Sequence, residues 1–124
     1  MDDKKEKKTL VIGASENPER YAYKAVMKLM DNNYPVVAFG LRKGSINGID
    51  ITTQFPEESG IHTVTLYVGP KNQPDYYDRI IALKPKRVIF NPGTENSEFE
   101  EKLTDLGIEA LEACTLVMLA SRQF

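Results

Sequence analysis

The chain has 124 residues, 41% of them hydrophobic and 27% charged, and its 16 basic and 18 acidic residues leave a formal net charge of −2. This length fits one domain, and the near-neutral charge argues against a protein that binds nucleic acid through bulk electrostatics. No apolar stretch approaches the length of a membrane span, and no signal-peptide segment follows the charged start. The single cysteine, Cys114, excludes an internal disulfide. We therefore expect a cytoplasmic protein with no membrane contact and no nucleic-acid partner.

The first elements can be placed from the pattern of apolar residues. Residues 1–8 are charged and are predicted to be a flexible tail, which leaves residues 9–124 as the domain. The apolar run at 9–12 ends at Gly13 and predicts a buried strand. A polar loop over 14–20 then leads into a helix over 21–31, in which Ala22, Val26 and Leu29 recur at helical spacing.

The rest of the chain alternates between strands and helices. Further strands are predicted at 34–40, 62–69, 86–90 and 108–111, helices at 74–84, 97–106 and 114–123, and an exposed loop at 42–50. Short apolar strands that alternate with helices favour a parallel sheet covered on both faces. With right-handed crossovers, the predicted fold class is α/β: a single Rossmann-like, doubly wound domain with a mostly parallel five-stranded sheet.

The loop after the first strand is typical of a phosphate site. Gly13 would let the backbone turn sharply and approach a ligand, and the amides of Ala14 and Ser15 would then point at an anion. Ser15 also offers a hydroxyl group, and Arg20 offers a fixed positive charge. The alternative, in which Gly13 only allows close packing and Arg20 is a solvated surface charge, stays open.

The end of the second strand bears on the choice of nucleotide. An NAD-binding domain usually has an acidic residue there to accept hydrogen bonds from the ribose, but here no acid follows the strand before Asp50. Arg42 and Lys43 lie instead where a phosphate on the ribose would be neutralised. These residues disfavour NAD and leave NADP and coenzyme A (CoA) as candidates, unless the two cations form only a solvated pair.

The segment VIGASENPERYAYKAVMKLMDNNYPVVAF resembles the opening of the small stand-alone CoA-binding proteins, a family related to the CoA-binding Rossmann domain of the succinyl-CoA synthetase alpha subunit. The residues that carry the resemblance are Gly13, Ala14, Ser15, Pro18, Arg20, Tyr34, Pro35 and Val36. It extends to Ile49, to the GPKNQP turn and to Cys114. The chain departs from the family pattern at AFGL (38–41) and FNPG (90–93), where members usually have Pro-Val-Asn-Pro and Trp-x-Gln elements.

The resemblance implies a protein that binds CoA or acyl-CoA without catalysis. The first loop would hold the diphosphate, the turn after the second strand would hold the adenosine and its 3′-phosphate, and VGPKNQP would close over the nucleotide. Together with the reasoning from the residues, it marks as cofactor-binding Gly13, Ala14, Ser15, Asn17, Arg20, Tyr23, Phe39, Gly40, Arg42, Lys43, Gly69, Gln73, Pro74, Asn91 and Gly93. Two alternatives stay open: an NADP-dependent oxidoreductase, and an interaction module that keeps the fold but has lost its ligand.

The chemistry-bearing residues do not combine into a catalytic set. His62 is the only histidine, which excludes a metal site built from several histidines. Cys114 opens the last predicted helix, where a thiol pKa can fall, although a buried structural cysteine is the expected role. We therefore expect no catalytic residue and no metal. A homodimer through the apolar final helix or an exposed sheet edge stays open.

Overall fold

The computed structural model describes residues 3–124, and Met1 and Asp2 lie outside it. Within that range there are seven strands and four α-helices, besides short 3-10 helices at Asp3–Glu6, Pro70–Asn72 and Pro74–Tyr76. The strands are β1 (Lys8–Ile12), β2 (Val36–Phe39), β3 (Gly44–Ile46), β4 (Ile49–Thr52), β5 (Ile61–Leu66), β6 (Arg87–Phe90) and β7 (Glu109–Glu112). The helices are α1 (Tyr21–Asp31), α2 (Tyr77–Leu83), α3 (Ser97–Asp105) and α4 (Thr115–Ala120).

All the strands belong to one sheet with the order β3-β4-β2-β1-β5-β6-β7. Every neighbouring pair is parallel except β3 and β4, which are antiparallel. From β1 the chain moves outward to β2 and then returns past β1 to β5, so the topological switch lies between β1 and β5. The Rossmann-like α/β fold is confirmed, but the described sheet has seven strands rather than the five predicted.

The two additional strands lie in the segment that was predicted as an exposed loop. β3 and β4 form a hairpin whose two-residue turn is Asn47-Gly48, with φ of 47° and 88°. Positive φ at both positions is typical of the type I′ turn, for which Asn-Gly is the preferred sequence. The loop prediction was wrong because these strands are short and lack an apolar run, although the Asn-Gly pair itself carried the signal.

The sheet separates two apolar cores. One face buries Leu10, Ile12 and Val64 against the side chains of α2 and α3, such as Ile80 and Phe99. The other face buries Val11, Ala38 and Ile89 against Val26 of α1 and Met118 of α4. Because alternate residues of each strand enter different cores, β1 and β6 carry apolar runs, at 10–12 and 88–90, which is why they were visible in the sequence.

The beginning of the described chain packs against its end. Lys8 already belongs to β1, and the Lys7 Nζ donates a hydrogen bond to the Phe124 backbone oxygen at 2.9 Å. Part of the tail predicted over 1–8 lies outside the described residues, so the division into a flexible tail and a domain over 9–124 stays a prediction. None of the described helices is long and apolar enough to cross a membrane.

A buried arginine organises the edge of the sheet where the parallel strands begin. Arg87 donates from Nε to Thr63 Oγ1 at 2.8 Å and from a terminal nitrogen to the Phe124 oxygen at 2.9 Å. Its guanidinium carbon lies 4.4 Å from the centroid of the Phe124 ring. His62 Nδ1 is 2.8 Å from the same Thr63 hydroxyl. His62 is therefore held among cations, at the end of β5 opposite to the loops that follow the strands.

Acidification is expected to destabilise the fold through His62. Burial lowers the pKa of His62 below its usual 6.5, and the positive charges of Arg87, Lys7 and Lys86 lower this pKa further. The unfolded chain then binds the proton more readily than the folded chain, so the free energy of unfolding falls as the pH drops from 6.5 toward the lower folded-state pKa. Urea unfolding at about pH 7.5 and about pH 5 measures this loss, which should be smaller in His62→Gln. An equal loss of unfolding free energy in wild type and in His62→Gln would contradict the assignment of this pH effect to His62.

Candidate functional site

Loop 1 (residues 13–20) follows β1 at the centre of the sheet, beside the topological switch. Gly13 has φ of 97°, and a Cβ on it would lie 2.9 Å from the carbonyl oxygen of Tyr67. Both facts require glycine, because other residues rarely adopt this φ and a side chain would strike the loop after β5. Open parallel sheets bind ligands at such a switch point, beyond the carboxyl ends of the strands.

Some backbone amides of loop 1 donate hydrogen bonds within the protein, and others are left free. The amides of Gly13 and Ala14 both donate to the carbonyl oxygen of Phe39, each at 2.9 Å. The expectation that the Ala14 amide points at an anion is therefore corrected, since this donor is already used and Ala14 is buried. The amides of Ser15 and Glu16 have no hydrogen-bond partner in the part of the chain that the structure describes. They are the loop donors left for a ligand.

The side chains of loop 1 shape the approach to α1. The Ser15 hydroxyl accepts a hydrogen bond from the Asn17 amide at 3.1 Å, and the Asn17 side-chain oxygen accepts from the Glu19 amide at 3.0 Å. These two contacts fold the loop on itself while leaving Asn17 exposed. The side chains of Ser15 and Asn17 thus help to form the loop, which is a role that the sequence did not reveal.

The start of α1 lies next to loop 1 and offers further hydrogen-bond donors. Arg20 is the N-cap residue, has an exposed side chain and makes no capping hydrogen bond. The first-turn amides of a helix have no partner within the helix, and no acidic side chain lies in the first turn of α1. Free amides and the helix dipole therefore lie together at the start of α1, next to a residue that carries a positive charge, and these features favour an anion.

Tyr23 lies in the first turn of α1, beside a groove. It is half-buried and packs against the core between α1 and α4. With Met27 and Leu119 it lines a groove of about 630 Å³ that also reaches Pro18 of loop 1. Tyr23 therefore lies next to the apolar groove, close to loop 1.

The segment after β2 lies directly against loop 1. A Cβ on Gly40 would collide with the Ala14 carbonyl oxygen, and the Gly40 amide donates to Thr52 at 3.0 Å. Arg42 and Lys43 follow with exposed side chains. Gly40 thus brings the two loops together by close backbone packing, and the cations project from the turn.

Phe39 is part of the core below this turn. It is only 5% exposed, and its ring packs edge-on against Phe55 at 5.2 Å and against Tyr76 at 5.5 Å between centroids. These rings join the end of β2 to the loop after β5. Phe39 supports the predicted adenosine side of the site from within, and little of its surface is left for a ligand.

Two predicted ligand contacts are buried supports of the loops. Gln73 is fully buried, and its Nε2 donates to the carbonyl oxygens of Val68 at 3.0 Å and Thr94 at 2.7 Å. Its Oε1 accepts from Asn96 at 2.8 Å. The Gln73 side chain therefore ties the loop after β5 to the loop after β6 and has no group left for CoA.

Asn91 is a second buried side chain that ties segments together, on the face of the sheet that α4 covers. It is 2% exposed and donates from Nδ2 to Thr65 Oγ1 at 2.6 Å and to the Leu66 carbonyl oxygen at 2.9 Å. Its Oδ1 accepts from the Thr115 amide at 2.9 Å. The side chain joins β5, β6 and the start of α4.

The remaining predicted positions lie at the openings of these loops. Pro74 is exposed at the start of a 3-10 helix. A Cβ on Gly69 or Gly93 would meet nothing within 4 Å, and the Gly93 amide donates to Glu95 Oε1 at 2.9 Å. The loops after β1, β2, β5 and β6 share one edge of the sheet, so the structure brings most of the predicted set together there.

Two residues at this edge were not singled out from the sequence as ligand-site residues. The Tyr67 hydroxyl is buried beside the side chains of Thr65 and Thr115, and burial raises the pKa of Tyr67 to about 12, so the group is neutral at physiological pH. Glu16 Oε2 accepts from the Ser45 amide at 2.9 Å and so connects loop 1 to β3. Neither the burial of Tyr67 nor the hydrogen bond of Glu16 has a local sequence signal, since both depend on how distant segments meet.

The chain is similar in sequence and fold to several proteins of known structure. The chain is 48% identical to an uncharacterized protein of known crystal structure, over 95% of this chain and 98% of that one, with a TM-score of 0.93. A hypothetical protein from Pyrococcus horikoshii OT3 is 26% identical over 94% of this chain and 83% of its own, with a TM-score of 0.84. The cell-free ID.343 protein from Thermus thermophilus shares the fold at 22% identity, over 95% and 90% of the two chains, with a TM-score of 0.83.

No protein of curated function matches the sequence significantly. The sequence model of the CoA binding domain matches residues 7–120, which is nearly the whole chain. The chain therefore belongs to the CoA binding domain family, and the resemblance of its opening segment is confirmed.

Proposed function

We propose that this protein binds CoA or an acyl-CoA without catalysing a reaction on it, and that the diphosphate lies over loop 1. The observation that carries the proposal is the pair of unpartnered amides at Ser15 and Glu16, within the described chain, beside the uncapped start of α1. Arg20 adds a positive charge at the same corner. A diphosphate is the part of CoA whose charge and oxygen acceptors fit this arrangement.

The cations after β2 support CoA over a nucleotide with a free ribose. Arg42 and Lys43 are exposed, and the turn that carries them, residues 40–43, contains no acidic residue. They would neutralise the 3′-phosphate of CoA while loop 1 holds the diphosphate. The same pair could accept the 2′-phosphate of NADP, so NADP remains the alternative cofactor.

The buried network explains how a site of this kind is held in place. Gln73 and Asn91 tie the loops after β5 and β6 to the framework, and these loops also carry the exposed Pro74 and Gly93 and the half-buried Gly69. These three residues would lie over the nucleotide. A homodimer and a cytoplasmic location stay predictions from the sequence.

Thermal shift with five ligands tests the proposal. CoA, dephospho-CoA, NADP, NAD and ADP are compared at equal concentration, and a ligand at about a hundredfold over its Kd stabilises by about 2.7 kcal/mol. We expect CoA to raise the Tm most, and dephospho-CoA to raise it less because it lacks the 3′-phosphate. A shift with NADP alone would favour the oxidoreductase alternative, and no shift with any of them would favour the interaction module.

Arg20→Ala is expected to weaken CoA binding about tenfold, because a charge-assisted contact to the diphosphate is lost. The loss should be equal for CoA and dephospho-CoA, since both carry the diphosphate. Isothermal titration calorimetry of both ligands measures it. Lys102→Ala is the matched control, because Lys102 is an exposed cation on α3, on the opposite face of the sheet. Unchanged affinity in Arg20→Ala would remove Arg20 from the site.

A further inference from the structure

Glu16 is the residue of loop 1 whose side chain reaches the β3–β4 hairpin. Its Oε2 accepts a hydrogen bond from the Ser45 amide at 2.9 Å. The same carboxylate lies against Gly44, where a Cβ would be 2.6 Å from Glu16 Cγ and 2.7 Å from Oε1. A side chain at position 44 would displace the Glu16 carboxylate from this contact. The Glu16–Ser45 clamp, meaning this hydrogen bond and the packing on Gly44, therefore depends on both segments.

The segment that carries the free amides is attached at both of its ends, and the clamp is the second attachment. At the first end, the amides of Gly13 and Ala14 both donate to the Phe39 carbonyl oxygen. At the second end, the Glu16 side chain is fixed on Ser45. The Ser15 and Glu16 amides lie between these two attachments, so the backbone that presents them is restrained from both sides.

We propose that Glu16 is a positioning residue for the anion site: the clamp fixes loop 1 so that the Ser15 and Glu16 amides are presented together to the diphosphate. The inference rests on the proposed CoA site. Donors that are fixed before binding lose less conformational entropy when the ligand arrives, so the clamp increases affinity. It also makes the β3–β4 hairpin, which the sequence did not predict, a functional part of the site.

Charge and position act in opposite directions at Glu16, and this makes the proposal testable. A carboxylate near a diphosphate repels it, so removing the charge of Glu16 strengthens binding if charge alone matters. Removing the clamp frees loop 1, so it weakens binding if position matters. Glu16→Ala removes both the charge and the clamp. Glu16→Gln removes only the charge, because its side-chain oxygen can still accept from the Ser45 amide.

Calorimetric titration of CoA into wild type, Glu16→Ala and Glu16→Gln separates the two effects. We expect Glu16→Ala to weaken binding about fivefold, and Glu16→Gln to bind at least as tightly as wild type. Glu19→Ala is the control, since Glu19 is an exposed acid of the same loop, and it should bind CoA as wild type or slightly more tightly. Wild-type or tighter binding by Glu16→Ala would overturn the positioning role.

Hydrogen exchange of the Ser45 amide, followed by NMR without ligand, gives an independent readout. Exchange should be slow in wild type and Glu16→Gln and fast in Glu16→Ala, and equal rates in all three would also overturn the proposal. Inorganic pyrophosphate is the second probe of the loop. If wild type binds neither CoA nor pyrophosphate, the proposed function fails and this inference fails with it. If wild type binds both and Glu16→Ala binds them equally well, the inference alone fails.

Discussion

Gly13→Ala is expected to lower the free energy of unfolding by about 2–4 kcal/mol. Two effects add up at this residue. Its φ of 97° is a conformation that alanine adopts only under strain, and its new Cβ would lie 2.9 Å from the Tyr67 carbonyl oxygen and 3.2 Å from the Tyr67 Cβ. The clash is with backbone at the centre of the sheet, so it cannot be relieved by turning a flexible side chain. Urea unfolding followed by circular dichroism measures the loss.

Gly60→Ala is the matched control for this substitution. Gly60 has a similar φ of 86°, but a Cβ there would meet nothing within 4 Å. It therefore carries the conformational strain without the clash, and its expected loss is about 1 kcal/mol. If both variants lose the same free energy of unfolding, the clash with Tyr67 does not contribute to the effect of Gly13→Ala. A Gly13→Ala protein that still folds should also bind CoA less tightly, because loop 1 is displaced.

Asn91→Leu is expected to lower the free energy of unfolding by about 3 kcal/mol. The leucine is similar in size, but it leaves the Leu66 carbonyl oxygen and the Thr115 amide without the partners that Asn91 provides at 2.9 Å each. An unsatisfied buried polar group costs more than the average hydrogen bond contributes. Because one of the lost bonds holds the first amide of α4, this helix should loosen from the sheet first.

Chemical unfolding and amide exchange of α4 measure this prediction. Asn72→Leu is the control, since the Asn72 side chain is exposed, and its effect should stay within about 0.5 kcal/mol. A loss of similar size in both variants would show that the effect comes from the leucine rather than from the buried network. If Asn91→Leu keeps full stability but loses CoA binding, Asn91 contacts the ligand instead, as its sequence position had suggested.

These predictions describe a site whose exposed groups are few and whose supports are many. Ser15, Glu16 and Arg20 offer donors or charge at the surface, whereas Gln73 and Asn91 fix the surrounding loops from inside. Binding groups that are held in place by rigid surroundings lose little entropy when a ligand binds. The departures from the family pattern at residues 38–41 and 90–93 fall partly on buried residues, among them Phe39 and Asn91.

The elements that the sequence predicted well are those whose signal is local. The predicted helix over 21–31 coincides with α1, because its buried residues recur every three or four positions and Asn33 accepts a positive φ of 67° beyond its end. The central strands were found because both of their faces are buried. The β3–β4 hairpin was missed because its strands have three and four residues and one face is largely exposed.

The candidate site divides along the same line. The glycine turn after β1, the positive charge at Arg20 and the family were all recognisable in the sequence, since each is encoded by neighbouring residues. The actual partners of Gln73, Asn91 and Glu16 were not, because their hydrogen bonds reach residues 21, 24 and 29 positions away. The sequence alone did not show which of the predicted residues are exposed and which are buried in the core.

Sequence by itself determined the Rossmann-like fold, because periodicity and turn chemistry act within a few residues, and the resemblance of the opening segment indicated the CoA-binding family. Only the tertiary structure decided that the Ala14 amide is already used, that Gln73 and Asn91 are internal ties, and that Glu16 joins loop 1 to a hairpin. The physical reason is that a hydrogen bond between distant segments exists only after the strand order has brought them side by side.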